Sequence, residues 1–165
     1  MTEIDLPSST KRFLDAARGV GVELEGEVRV FPEGTRTAED AARAIGVTVG
    51  QIVKSLVFLA DDAAVMALVS GANRLDTGRL ATAAGAAKVS RADANAVRDA
   101  TGYAVGGVPP FGHARQLAVY IDPDLLQYDT VWAAGGTPMT VFPITPQQLV
   151  DACHATVIDL REEIS

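Results

Sequence analysis

The chain has 165 residues and a mass of 17.2 kDa, with 48% hydrophobic and 21% charged residues. A chain of this length and apolar content can bury a core of its own, which excludes intrinsic disorder and a small fold stabilised by disulfides. Its formal net charge of −7 gives no overall attraction for a nucleic-acid backbone. Any contact with RNA is therefore expected to be local.

The cysteine and histidine content limits metal and redox chemistry. There is one cysteine, Cys153, and there are two histidines, His113 and His154. Structural zinc needs four ligands and a redox dithiol needs a second thiol, so we expect no metal and no other cofactor. The apolar runs over 52–60 and 63–69 are too short to span a bilayer, and the acidic N-terminus lacks the basic region of a signal peptide. We therefore expect a cytoplasmic protein that does not enter membranes, as a monomer or homodimer.

Helix caps, chain breaks and hydrophobic periodicity predict the elements of secondary structure. In chain order they are a helix over 9–19 with hydroxyl residues at its start, a strand over 27–31, a turn over 32–34, a helix over 37–46, strands over 51–59 and 63–69 joined as a hairpin, helices over 77–85 and 92–100, a loop over 102–112, strands over 117–121, 130–134 and 139–142, and a helix over 145–153. This order mixes hairpins with helices and contains no repeat or linker. It predicts a single α+β domain over residues 1–165, in which helices surround a largely antiparallel or mixed, barrel-like sheet.

Lys54 is the first candidate for a functional residue. Its neighbours at strand period, Leu56 and Phe58, are apolar, so the lysine shares the face that they bury. A lysine that protects a strand edge, or one whose amine reaches the margin of the sheet, would explain this position. An amine at the floor of a cleft, where it binds an anionic group of a substrate, is the alternative, which composition alone favours less. The pattern leaves both interpretations open.

Two loops that contain glycine pairs are the next candidates. Residues 106–112 combine flexible glycines with stiff prolines, which is typical either of an ordinary turn or of backbone N–H groups held towards a carbonyl oxygen. Residues 134–138 form either a hairpin turn or a platform beside a ligand. Neither loop has the glycine spacing of a phosphate loop. His113 is expected at the surface, residues 122–124 predict a turn and a helix start, and no Ser-His-Asp or Cys-His set follows from the spacing.

Five segments, taken together, resemble one protein family. They are Thr37-x-x-x-Ala41-Ala42 through Gly46, Val53-Lys54-Ser55-Leu56-Val57, Gly102-Tyr103 with Gly106-Gly107-x-x-Pro110, Tyr120-Ile121-Asp122 with Leu125-Leu126, and Ala134-Gly135. In this order they resemble the YbaK/EbsC family, the trans-acting relatives of the editing domain of prolyl-tRNA synthetase. The resemblance extends over about residues 25–160, and its specificity lies in the ordered set because each segment alone is common.

The resemblance implies an aminoacyl-tRNA deacylase. Such an enzyme hydrolyses the ester of a small amino acid wrongly attached to tRNA, here most directly tRNA(Pro). The family's strand lysine matches Lys54, in the pocket that receives the 3′-terminal aminoacyl-adenosine. Where cysteine-specific relatives show Ser-Ala-Gly, residues 133–135 are Ala-Ala-Gly, which argues against a cysteine substrate. The predicted catalytic residues are Lys54 and Gly106, and the predicted substrate-binding residues are Ser55, Gly107, Pro110 and Gly135.

A mechanism follows from these residues as a hypothesis. Lys54 holds a phosphate or hydroxyl of the terminal adenosine, and N–H groups around Gly106 and Gly107 polarise the ester carbonyl, so that no side-chain nucleophile is needed. An acidic protein that binds only the terminal nucleotides is expected to bind mischarged tRNA weakly, or to bind it together with a synthetase or an elongation factor that adds affinity. The alternatives are a hydrolase of another aminoacyl or nucleotide ester, and a binding or regulatory module without activity.

Overall fold

Most of the helices begin at a side chain that accepts from a free backbone N–H, and three of them end at a glycine. A computed structural model describes residues 6–24, 26–31 and 37–162. Thr37 accepts a hydrogen bond from the Asp40 N–H, and Asp76 accepts two, from Gly78 and Arg79. The helices are α1 (Ser8–Gly19), α2 (Ala38–Ile45), α3 (Thr77–Ala84), α4 (Ala94–Thr101) and α5 (Pro146–Cys153).

Every predicted helix is therefore confirmed, with small differences at the ends. The hydroxyl cap expected at the start of α1 is absent, because Pro7 occupies the cap position and Ser8 is already helical. The turn predicted over 32–34 lies outside the described residues. None of the described helices has the length and apolar content to span a bilayer.

The strands form two sheets. They are β1 (Arg29–Val30), β2 (Val53–Ala60), β3 (Ala63–Ser70), β4 (Val89–Arg91), β5 (Ala118–Ile121), β6 (Val131–Ala134), β7 (Thr140–Ile144) and β8 (Thr156–Val157). One sheet has the order β1-β7-β6 and is antiparallel, and the other has the order β4-β2-β3-β5-β8. The predicted hairpin is β2 and β3, which pair antiparallel, whereas β3 with β5 and β5 with β8 are parallel.

The α+β class and the mixed sheet are confirmed, but the barrel is not closed. Within the described residues, the two sheets meet at one parallel bridge, between Ile52 and Trp132. The strand expected over 27–31 shortens to β1. Two short strands, β4 and β8, were not predicted, because they depend on their partner strands rather than on a pattern of their own.

Three phenylalanines pack together in the main core and hold one loop of the chain in place. Phe13 of α1 is fully buried, and its ring lies 5.2 Å from that of Phe111 and 4.8 Å from that of Phe142. Aromatic pairs at this spacing stabilise a core beyond the area that they bury. Helix α1 therefore packs the glycine-proline loop that contains Phe111 against strand β7, which contains Phe142.

Candidate active site

The two sheets separate along one edge of β2, and a pocket opens in the gap. Ile52, just before β2, bridges to Trp132 of β6, whereas the far end of β2 pairs with β4 from Phe58 onwards. Between these points the edge of β2 faces a cavity of about 470 Å³. The start of α2, the loop around Gly106 and strands β4, β6 and β7 complete its walls.

Lys54 lines this pocket, half-buried, on an inner strand of its sheet. Its Nζ atom donates a hydrogen bond of 2.5 Å to the backbone oxygen of Asn73. Burial lowers the pKa of the Lys54 amine; the carboxylates of Glu39 and Asp122 oppose this shift, and the charge of Arg74 adds to it. The Lys54 amine is half-buried in the pocket rather than exposed to water at an outer strand, which favours the interpretation as a cleft amine.

Ser55 lines the same pocket from the opposite face of β2. Its hydroxyl oxygen is buried and has no hydrogen-bond partner among the described residues. Leaving such a group unpaired costs about 1–3 kcal/mol. A ligand in the pocket that bonded to this hydroxyl would remove that cost, so the predicted substrate-binding role of Ser55 has a physical basis.

Gly106 lies at the surface of the pocket, whereas Gly107 lies behind it. Gly106 lines the pocket with φ of +89°, a backbone conformation that favours glycine, and its N–H has no acceptor among the described residues. Gly107 lies behind it, where its N–H donates to the oxygen of Ala104 and its own oxygen accepts from the N–H of Gly136, both at 3.0 Å. The N–H of Gly107 is therefore bonded within the protein. Of the two N–H groups expected to bind an ester carbonyl, that of Gly106 has no partner among the described residues.

Pro110 and Gly135 also lie behind the pocket wall. The Gly135 N–H donates to the oxygen of Thr140 at 2.9 Å, inside the turn between β6 and β7. The oxygen of Pro110 accepts from the Cys153 thiol at 3.2 Å. Burial raises the pKa of Cys153 to about 12, so this thiol stays protonated and unreactive. Lys54, Ser55 and Gly106 therefore lie together at the pocket, whereas Gly107, Pro110 and Gly135 lie behind its wall.

His113 lies outside the pocket. Its Nε2 atom is 2.6 Å from the oxygen of Pro109, and burial lowers the pKa of the imidazole. It is half-buried rather than at the surface, where we expected it. Among the described residues, no three His, Cys, Asp or Glu side chains are grouped so as to hold a metal ion.

Two pocket residues, Trp132 and Arg91, carry no signal in the sequence patterns. Trp132 is nearly buried, and the Cζ atom of Arg29 lies 4.7 Å from its ring centroid, within the range of a cation–π contact. The one clue to it is that the chain has a single tryptophan. Arg91 ends strand β4, which is too short to be predicted from sequence.

Comparisons with known proteins agree on one family. Residues 32–152 match the family described as the aminoacyl-tRNA editing domain. YwhH of Bacillus subtilis, named as uncharacterised, is 33% identical over 81% of this chain and 85% of its own length. EbsC of Enterococcus faecalis, named as a candidate Cys-tRNA(Pro)/Cys-tRNA(Cys) deacylase, is 29% identical over 79% of this chain and 80% of its own. A crystal structure described as a candidate trans-editing enzyme for prolyl-tRNA synthetase superposes with a TM-score of 0.91 at 46% identity, over 96% of this chain and 100% of that one.

The chain therefore belongs to the aminoacyl-tRNA editing domain family, as its resemblance to the YbaK/EbsC proteins implied. Membership places it among the hydrolases that act on aminoacyl-tRNA esters. The predicted fold class and reaction class are confirmed.

The close packing of Gly107 against Thr137, behind the pocket, can be tested by substitution. A Cβ atom added to Gly107 would lie 2.6 Å from the Cα of Thr137, so we expect Gly107→Ala to lower the free energy of unfolding by about 1–3 kcal/mol. Gly19 is the matched control, because a Cβ there meets nothing within 4 Å. Gly19→Ala should be neutral or stabilising by up to about 1 kcal/mol. Urea unfolding measures both, and equal effects of the two substitutions would contradict the tight packing of the wall.

Proposed function

We propose that this protein removes a small amino acid from mischarged tRNA(Pro) by hydrolysing the aminoacyl ester at the 3′-terminal adenosine. The observation that carries the proposal is the Lys54 amine at the edge of a largely apolar pocket in a chain of the editing family. The names of EbsC and of the trans-editing structure support tRNA(Pro) as the carrier. On this proposal residues 1–165 form one editing domain that acts in the cytoplasm.

The dimensions and charge of the pocket suit the end of an RNA strand. Its volume, about 470 Å³, fits a terminal nucleoside with a small amino acid. Among the described residues of the lining, the cationic ones are Lys54 and Arg91. A site that contacts one or two phosphates needs no basic face, which reconciles the net charge of −7 with an RNA substrate.

Hydrolysis here uses positioning and hydrogen bonds rather than a side-chain nucleophile. The Lys54 ammonium binds a phosphate or hydroxyl oxygen of the adenosine, and the Gly106 N–H donates to the carbonyl oxygen as negative charge develops there. Water adds to the carbonyl carbon, the bond to the ribose oxygen breaks, and the products are the free amino acid and the tRNA hydroxyl. No carboxylate or imidazole lines the described pocket, so we assign the proton transfer to the substrate's own amine or 2′-hydroxyl, which passes a proton of the water on to the leaving ribose oxygen.

The pocket lining favours a small, apolar side chain in the substrate. Ala133 and Ala134 of β6 contribute only methyl groups, and Val108 faces the same cavity. A side chain that lies against these three residues meets only apolar atoms, which suits alanine or 2-aminobutyrate, and on this proposal the Ser55 hydroxyl bonds to another part of the substrate. We propose these two amino acids ahead of cysteine and serine.

A panel of charged tRNAs tests the proposal. tRNA(Pro) carrying alanine, 2-aminobutyrate, cysteine, serine or proline is incubated with the wild type and with Lys54→Met, which keeps the length of the side chain and removes its charge. We expect cleavage of the alanyl and 2-aminobutyryl esters and at least a ~100-fold slower single-turnover rate in the variant. The matched control is Lys88→Met, at an exposed lysine outside the pocket, with a rate within about twofold of the wild type.

The other outcomes separate the alternatives. Equal rates in the wild type and Lys54→Met would contradict the role of the lysine. Binding of every charged tRNA without turnover would indicate a binding module. Cleavage that occurs only on another tRNA would keep the reaction and replace tRNA(Pro).

The salt dependence of tRNA binding is a second test. Two phosphate contacts on a single strand give a slope of about −1.4 in a plot of log K against log salt concentration. We expect a slope near that value, because the described pocket lining offers two cations. The binding constant of alanyl-tRNA(Pro), measured from about 50 to 200 mM KCl, gives the slope. A slope steeper than about −4 would mean that a further basic surface contacts the RNA.

A further inference from the structure

The turn after β3 connects Lys54 to two carboxylates through one asparagine. The backbone oxygen of Asn73 accepts the hydrogen bond from the Lys54 amine. The side-chain amide of the same residue donates to Asp122 Oδ2 at 2.7 Å and to Asp124 Oδ2 at 2.8 Å. Both carboxylates therefore hold the residue that supplies the acceptor for the lysine.

Asp122 is itself held firmly. It has no exposed surface, although it is charged, and it follows directly after β5. Besides the amide of Asn73, it accepts from the N–H of Ser70 at 3.2 Å and from the N–H of Asp124 at 2.9 Å. A buried carboxylate is tolerated only when donors of this kind satisfy it. Asp122 thus fixes the end of β3, the turn after it and the residues after β5 relative to one another.

We infer that Asn73, gripped by Asp122 and Asp124, is a positioning residue that holds the Lys54 ammonium in its working place at the pocket. The inference rests on the proposed function, because it assigns to Asn73 a role that is exerted through Lys54. A lysine side chain has many rotamers, and one fixed acceptor selects among them before the substrate arrives. The carbonyl oxygen of Asn73 is such an acceptor, since its own side chain is anchored on both sides.

The charges around the amine determine how the inference is tested. Glu39 of α2 and Asp122 after β5 favour the protonated amine, and Arg74 next to Asn73 disfavours it. Asn73→Ala keeps the backbone oxygen but releases it from Asp122 and Asp124, so the hydrogen bond to the ammonium is weakened and the pKa of Lys54 falls. If the ammonium is the active form, the alkaline limb of the pH–rate profile then moves to lower pH. Glu39→Gln should also move this limb, but without displacing the amine.

The experiment measures single-turnover deacylation of alanyl-tRNA(Pro) against pH. For Asn73→Ala we expect a rate on the plateau about 10- to 100-fold below that of the wild type. Its alkaline limb should lie at least about half a pH unit lower. Asp124→Ala removes one of the two carboxylates that bond to the Asn73 side chain, at a partly exposed site. It should lower the plateau rate and the pH of the alkaline limb in the same way, but by less. Glu39→Gln should move the limb and keep the plateau within about twofold of the wild type. Asn95→Ala, at an exposed asparagine of α4, is the matched control and should change neither.

Each outcome decides between the inference and its alternatives. A folded Asn73→Ala with the wild-type limb and a rate within about twofold would overturn the positioning role. If that variant fails to fold, Asp124→Ala decides, and wild-type values for it overturn the inference. Lys54→Met in the same assay separates the two levels: if it is as active as the wild type, the assigned role of the lysine fails and the positioning role fails with it. If Lys54→Met is inactive while the Asn73 and Asp124 variants keep wild-type values, the role of the lysine stands and only the positioning role fails.

Discussion

The partial burial of one positive charge is the constraint on which the site depends. Lys54 lies on an inner strand, where water is displaced from its amine and its pKa falls. An ammonium in that position needs acceptors and negative charge nearby, and it has the oxygen of Asn73 with Glu39 and Asp122 around it. These partners come from α2, from the turn after β3 and from the end of β5. The fold must therefore bring three distant segments together before the amine is both held by Asn73 and favoured in its charged form.

The opposite wall of the pocket is rigid for a different reason, which is packing. Phe13 ties the glycine-proline loop to β7, and Gly107 is in contact with the backbone of Thr137. One hydrogen bond, from the N–H of Gly136 to the oxygen of Gly107, then joins this loop to the neighbouring turn. Because the wall is fixed in this way, the Gly106 N–H has a fixed position relative to Lys54 before substrate binds. Catalysis by positioning requires this, since groups that must first be ordered lose part of their effect.

Local signals were sufficient for the parts of the fold that depend on neighbouring residues. Thr37 and Asp76 cap their helices by bonds to residues two or three positions away, so the sequence reveals them. The parallel pairing of β3 with β5 and the short strand β4 depend on segments far apart in the chain, and no local pattern contains them. The same distinction between local and long-range contacts applies to the residues of the site. Lys54 is visible from strand periodicity, whereas the engagement of the Gly107 N–H and the role of Asn73 follow only from contacts across the fold.

The central claim is that the 3′ end of the charged tRNA binds in the pocket beside Lys54. A second cavity, of about 630 Å³, lies between Arg79 and Arg161, which are paired there with Asp159. The most direct measurement is a titration of the ¹⁵N-labelled protein with alanyl-adenosine in which an amide replaces the ester, followed by amide chemical shifts. We expect the shifts to concentrate at Ser55 and Gly106. Shifts confined to the residues around Arg79 and Arg161, with Ser55 and Gly106 unchanged, would contradict it.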